Sequence, residues 1–420
     1  MRTIHVIGAG LAGLAAALAL SEKAPGGKGE LRLVLHEAGP QAGGRCRSYH
    51  DRELGLLLDN GNHLVLSGNG AVRRYLAMAG SRNGLASPPG PIYPFFERDS
   101  GLRYEIRFSA GRFPFWLFDP RRRVPDTRAR DYAALAHLLR AGEETVLGAL
   151  PWPEPLYRRL IEPLAIAVLN TDPGEASALL FRRVLAETLL KGGRALIPAF
   201  PPHGLGPCFI EPALATLTAR GAEIRLNQRI AALRLEGNRV AALRTGRGEE
   251  IALSAADGVV LAVPPWVAAE LLPGLKVPER FESILNIHYR MEAPRGEAGF
   301  WGILGGLAQW VFVKEGVVSV TVSAANATLE EPAEALAERA FADITALFAR
   351  PPSPLPPYRV IREKRATFAA TPENERRRPG PRVGLANLAL AGDWTATGLP
   401  ATIEGAIRSG FTAAEVLHAA

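Results

Sequence analysis

Residues Thr3 to Ala17 carry an apolar strand straight into Gly8-x-Gly10-x-x-Gly13 and then into an alanine-rich helix. This spacing predicts a mononucleotide-binding β-strand–turn–α-helix unit. Gly8 permits the tight turn, Gly10 lets backbone approach a pyrophosphate, and Gly13 lets the helix lie close against the strand. Leu11, Ala12 and Gly13 open that helix, whose free N–H groups attract negative charge. A second apolar run, Leu31 to His36, ends in Glu37. An acid there is placed to hydrogen-bond the ribose hydroxyls of an adenine dinucleotide. Such a unit needs parallel strands flanked by helices, so the fold class is α/β with a Rossmann-like nucleotide-binding domain.

The rest of the chain must either complete that domain or be inserted into it. At 420 residues with 47% hydrophobic content, there is enough chain for two to three domains with their own cores. Two cysteines, Cys46 and Cys208, have no C-x-x-C spacing. They predict neither a disulfide framework nor a zinc site, and they suit a reducing cytoplasm. Ile4 to Leu20 is nearly all apolar, but fingerprint glycines followed by a second strand argue against a secretory core. No other run approaches the length of a spanning helix. The formal charge of +7 comes from arginine, since only six of the 49 basic residues are lysine. No nucleic-acid module is present, which leaves an anionic membrane surface or solubility as the meaning of that charge.

Taken in order, residues 1–70 form the first nucleotide-binding segment. Gly43-Gly44-Arg45 offers flexible backbone and a planar donor array suited to a pyrophosphate. Gly61-Asn62-His63 then forms a polar turn between two apolar segments. Residues 71–200 read as a largely helical insertion, with helical spacing over Ala133–Leu147, Leu156–Leu169 and Leu179–Leu190. Within it, Phe113 to Phe118 places bulky apolar groups beside Arg121-Arg122-Arg123. That segment suits either the wall of an apolar pocket or a membrane face. Residues 201–275 return to the nucleotide-binding domain. A hairpin turns at Gly237-Asn238, and a buried strand, Val259 to Val263, is expected to rejoin the first sheet. Residues 276–384 form a second insertion of strands, around Trp310 and Val317–Val322, with one helix near Pro332–Phe348. Residues 385–420 close the domain with a strand, Gly392-Asp393, a glycine-proline loop and a last helix beginning near Thr402-Ile403.

These motifs resemble the flavin superfamily of amine oxidases and carotenoid desaturases over the full length. More narrowly, Asp59 to His63, Phe115-Trp116-Leu117, Glu162-Pro163-Leu164, Gln309 to Phe312, and Gly392-Asp393-Trp394-Thr395 through Gly405 resemble the squalene-associated FAD-dependent desaturases, the hydroxysqualene dehydroxylases. Asn62 departs from the glutamine more usual in that family. The resemblance implies a discontinuous FAD-binding domain in three segments, holding an inserted α+β substrate domain. It implies non-covalent FAD at Gly8, Gly10, Leu11, Ala12, Gly13, Glu37, Gly44, Arg45, Gly61, Asn62, Ile230, Gly392, Asp393, Thr402 and Ile403. It implies an apolar isoprenoid substrate against Phe115, Trp116 and Trp310, with His63 and Glu404 as candidate proton donors and no metal. The implied reaction is the reduction of hydroxysqualene to squalene, at the inner face of a membrane. The electron donor that reduces the flavin is not apparent, because the chain has no second strand-associated fingerprint for a nicotinamide. The alternatives are an oxidative carotenoid desaturase or amine oxidase, and a prenyl-lipid carrier that keeps the fold without catalysis.

Overall fold

The computed structural model describes every residue except 23–30, 150, 151, 298, 352, 419 and 420. Its organising sheet has five parallel strands, in the order Leu388–Leu390, Gly258–Leu261, Arg2–Ile7, Leu31–His36, Glu223–Arg225. The three central strands are buried over their last four residues, largely with Ile, Val and Leu, because each is covered there on both faces. The first helix, Leu11–Glu22, shows no amphipathic stripe, and ten of its twelve residues are buried. The last helix, Ile403–His418, packs on it so closely that a Cβ at Gly410 would lie 2.1 Å from the Ala12 carbonyl oxygen. This contact returns the C-terminal segment to the sheet begun at residue 2. The strand 258–261 lies parallel between the first and last strands, as its apolar run predicts. The hairpin Ile230–Glu236 with Arg239–Thr245 also forms as read, turning at Gly237-Asn238.

A second sheet of seven strands runs Tyr358–Phe368, Phe281–Arg290, Val317–Val322, Trp310–Lys314, Phe300–Leu304, Ile92–Glu97, Leu102–Arg107. All its pairings are antiparallel except that between 300–304 and 92–97. Its last two strands come from the 71–200 insertion, which is therefore mixed rather than largely helical. The helices of that insertion are also shorter than their spacing suggests. The first stops at Leu138, and a wider π-helical turn, Tyr157–Ile161, precedes Glu162–Leu169.

Alternation sorts this sheet's side chains onto two faces. One face, with Leu285, Ile287, Val311, Val318, Val320 and Ile303, packs under the helix Ala333–Leu347. Register puts Phe300, Trp310, Phe312, Lys314, Ser319, Thr321, Asn286 and His288 on the other. That inner face is aromatic toward 300–304 and polar toward 281–290. It is turned to the nucleotide-binding domain, since Lys314 reaches Asp59 and Phe312 meets Phe200. Among the described residues no helix is long and apolar enough to cross a membrane.

Candidate cofactor and substrate site

The first glycine loop is held by its neighbours. Gly8 has φ +101° and its N–H donates to the His36 carbonyl at 2.7 Å. A Cβ at Gly13 would sit 1.9 Å from the Gly8 carbonyl oxygen, so helix and loop tolerate no side chain there. At Gly10, by contrast, an added Cβ would meet nothing within 4 Å. The loop therefore presents an open cradle in front of a helix start that carries no acidic residue in its first turn. Its N–H groups and dipole suit an anion.

The other predicted cofactor segments converge on this cradle. The Gly43 N–H donates to the Ala9 carbonyl at 2.8 Å, and Gly43 bridges to Gly10, which brings Gly44 and Arg45 across the loop. Arg45 Nη2 pairs with Asp393 Oδ1 at 2.7 Å, and Nη1 donates to the Ala366 carbonyl at 2.5 Å. Burial opposes the Arg45 charge, but Asp393 outweighs it and the guanidinium pKa is raised. Glu37 accepts the Ala9 N–H at 2.9 Å and the Gly39 N–H at 2.8 Å, at the mouth of the same loop. The Gln228 N–H donates to the Glu37 carbonyl at 2.8 Å, and the buried Ile230 follows two residues later. At the other end, Thr402 Oγ1 accepts the Gly405 N–H at 3.0 Å and caps the last helix, with Ile403 beside it.

An open cradle at a helix N-terminus, a carboxylate at the adenine end and an Arg45–Asp393 pair fit an adenine dinucleotide whose pyrophosphate runs along 8–13 and 43–45. The comparisons decide which one. The flavin-containing amine oxidoreductase family matches residues 11–294 and 296–418. The chain belongs to that family. It is 44% identical to hydroxysqualene dehydroxylase from Rhodopseudomonas palustris, over 100% of this chain and 99% of that protein. It is likewise 44% identical to the hydroxysqualene dehydroxylase of Sinorhizobium fredii, over 99% and 98%. Among solved structures, cyclohexylamine oxidase from Brevibacterium oxydans shares the fold with TM-score 0.70 and 16% identity, over 99% and 98% of the two chains. The cofactor of this flavin-containing family member is FAD, and the converging residues fit it.

Beyond the cradle, the turn at Gly61 lies against the inner face of the seven-stranded sheet. A Cβ there would stand 3.0 Å from the Asn286 amide nitrogen. Asn62 Nδ2 donates to Thr321 Oγ1 at 3.1 Å, and Thr321 donates to Asn286 Oδ1 at 2.8 Å. The Asn62 side-chain oxygen, Oδ1, is buried without a hydrogen-bond partner. Asp59 accepts from Ser48, from the Leu205 N–H and from Lys314, the last at 2.6 Å. His63 lies within the field of Asp59, Arg45 and Lys314, and burial is the main force that pulls its pKa down to about 4. At neutral pH its imidazole is uncharged.

Three sequence expectations meet a different geometry. Glu404 is engaged elsewhere: its two oxygens accept the N–H groups of Ala71 and Val72 at 3.0 and 2.9 Å. It thereby caps the helix Gly70–Ala79, whose own preceding Asn69 makes no cap bond. Trp116 is only 3% exposed and packs edge-on against Phe108 and Tyr132, while Phe115 is 68% exposed. The turn puts one inward and the other outward, so they do not form a common wall. Trp310 does lie on the inner face, edge-on to Phe95 at 5.8 Å.

Two groups were not singled out from sequence. Arg378, fully buried, donates to the Asp393 and Thr395 carbonyls and to Thr397, and pairs with Glu375. It holds the loop that carries Asp393. The polar set Asn286, His288, Ser319 and Thr321 was also missed, although their two-residue spacing inside apolar strands marks one shared face.

Proposed function

We propose that the chain reduces hydroxysqualene to squalene. The observation that carries this reading is similarity along the whole chain, at 42–44% identity, to three hydroxysqualene dehydroxylases. In the reaction the allylic C–O bond breaks, the hydroxyl takes a proton and leaves as water, and the carbon takes a hydride. Reduced FAD supplies that hydride when bound.

The residues of the chain do the rest. Gly8 to Gly13, Glu37, Arg45 and Asp393 hold and orient the cofactor. Trp310, part-exposed and backed by the buried Phe300 and Phe312, gives an isoprenoid an apolar contact that excludes water, while Asn62, held by the buried Thr321 and Asn286, presents a polar group at the end nearer the cofactor loops. Exclusion of water matters because the allylic centre gains positive character as the hydroxyl leaves. His63 is the proton-bearing group of this turn. With its pKa near 4, its acidic form is scarce at neutral pH, so a step that uses it speeds up on acidification toward that value. Glu404 is assigned to the structural cap instead. A long apolar substrate is drawn from a bilayer, which makes the enzyme a peripheral visitor to a membrane on its cytoplasmic side.

The test is anaerobic. The bound flavin is photoreduced, hydroxysqualene is added in detergent, and flavin reoxidation is followed together with squalene. Equal amounts of both support the reading. Reoxidation without squalene, or no reoxidation, removes it and leaves the flavoprotein intact.

A further inference from the structure

The segment Phe113–Phe118 is built to expose phenylalanine. Trp116 anchors it from inside, with ring centroids 4.8 Å from Phe108 and 5.2 Å from Tyr132, and its backbone N–H donates to Ser109 Oγ at 2.9 Å. Arg122 clamps the base of the segment through the carbonyls of Arg107 and Phe108, and Arg123 bonds the Leu117 and Thr127 carbonyls. Held this way, Phe113, Phe115 and Phe118 stand 73%, 68% and 72% exposed. Three large apolar rings presented together in water by a fixed turn mark an interaction surface.

The charge around them identifies the partner. Residues 103–130 contain eight arginines and three acids, a surplus of five within a chain whose total is +7. Among the described residues Arg112, Arg121, Arg122 and Arg123 make no ion pair. The guanidinium groups of Arg122 and Arg123 bond only neutral carbonyls. Beside the segment lies a cleft of about 820 Å³, lined by four arginines, Arg103, Arg107, Arg121 and Arg122, against two acids, Glu105 and Asp119, together with Tyr104 and Trp301. Arg103 and Arg107 are paired with Glu297 and Glu105, which leaves Arg121 and Arg122 for an added anion. Guanidinium groups beside aromatic rings match phosphate headgroups over an acyl layer.

We propose that this face docks the protein on an anionic phospholipid bilayer, with Phe113, Phe115 and Phe118 entering the acyl boundary and the arginine cleft receiving lipid phosphates. The inference rests on the reading that the substrate resides in a bilayer, and it adds which surface meets that bilayer. Continuity supports the orientation. Aromatic contacts run from Trp116 through Phe108 and Tyr93 to Phe300 and Trp310, with centroids 4.8, 5.7, 6.0 and 6.3 Å apart in turn. The docked surface is thus joined to the aromatic half of the inner sheet face.

The test uses the full-length FAD-loaded protein and sedimentation with vesicles of phosphatidylcholine, alone or with roughly 30% phosphatidylglycerol. Wild type should sediment with the anionic vesicles, and high salt should release it. The double variant F113S/F118S, which keeps Phe115 and Trp116, should partition about tenfold more weakly or worse. R112E/R121E should weaken binding to anionic vesicles and leave any residual binding to neutral ones unchanged. With substrate dispersed in detergent the F113S/F118S enzyme should turn over normally; with substrate embedded in vesicles it should slow in proportion to lost binding. Wild-type-like vesicle binding by F113S/F118S overturns the proposal. So does indifference to lipid charge, and so does self-association or a protein partner that needs these phenylalanines while vesicles are ignored. Failure of turnover in detergent would count against the dehydroxylase reading alone, because sedimentation decides docking without it.

Discussion

Replacing Glu404 with alanine should cost stability and leave chemistry in place. The carboxylate is 6% exposed and accepts two backbone N–H groups at 3.0 and 2.9 Å, while Arg408 touches it at 3.3 Å. Arg408 keeps its two-pronged bond to Glu187 in the variant, so it is not orphaned. The loss is therefore two charge-assisted acceptors at a helix N-terminus, leaving the donors of Ala71 and Val72 unpaired. At about 1–3 kcal/mol per unsatisfied group the two amount to roughly 2–6 kcal/mol. Unfolding entropy for a chain of this length converts that to roughly 1 °C per kcal/mol, so Tm should fall by about 2–6 °C. Glu404→Gln, which keeps one acceptor, should lose about half as much. The assay pairs thermal unfolding with single-turnover rate per bound flavin. Rates within about twofold of wild type for the Gln variant fit a cap. A drop of about 100-fold with Tm unchanged would refute it and restore Glu404 as the proton donor.

Reversing the charge at the adenine end, Glu37→Arg, should strip FAD from the purified protein, read as the ratio of flavin to protein absorbance; full flavin retention would contradict the cofactor placement. Acid should weaken the fold through buried histidines. His5 and His288 are pulled down to about 4, in both cases mainly by burial, against an ordinary value of 6.5. Between those values the unfolded chain binds protons that the folded chain refuses. Their stabilisation is thus fully present above pH 6.5 and is lost as pH falls toward 4, on the order of 3 kcal/mol each. Urea midpoints measured with excess FAD should drop from pH 7 to pH 5, and His288→Gln should flatten part of that slope; midpoints independent of pH would refute it. If His63 donates the proton, single-turnover rates should rise as pH falls over the same range, and His63→Gln should abolish that rise.

The parts legible in sequence are those written by neighbouring residues. The glycine turn at 8–13 and the turn at Gly237-Asn238 each act over a few positions, and they form as read. The strand at 258–261 was legible because a run buried on both faces must be apolar throughout. What escaped were contacts between distant segments. Lys314 and Asp59 are 255 residues apart, and the Glu404 carboxylate caps a helix that starts more than 330 residues earlier. No local pattern encodes such partners. Arg378 is of this kind, since one arginine among 49 basic residues gives no sign that it will be buried under the Asp393 loop. Phe115 and Trp116 were misassigned to one wall because a tight 3₁₀ turn sends adjacent side chains to opposite sides. Helix spacing likewise overstated the 71–200 insertion, where Ile92–Glu97 and Leu102–Arg107 complete the sheet of the other insertion.

In the proposed reaction carbon gains a hydride as it loses its hydroxyl, and isotope transfer tests this directly. The hydrogen that reduced flavin delivers exchanges with solvent, so an anaerobic single turnover of hydroxysqualene in D2O should yield squalene carrying one deuterium, on the carbon that bore the hydroxyl. Unlabelled squalene, or a product with an additional double bond in place of the hydroxyl, would contradict it.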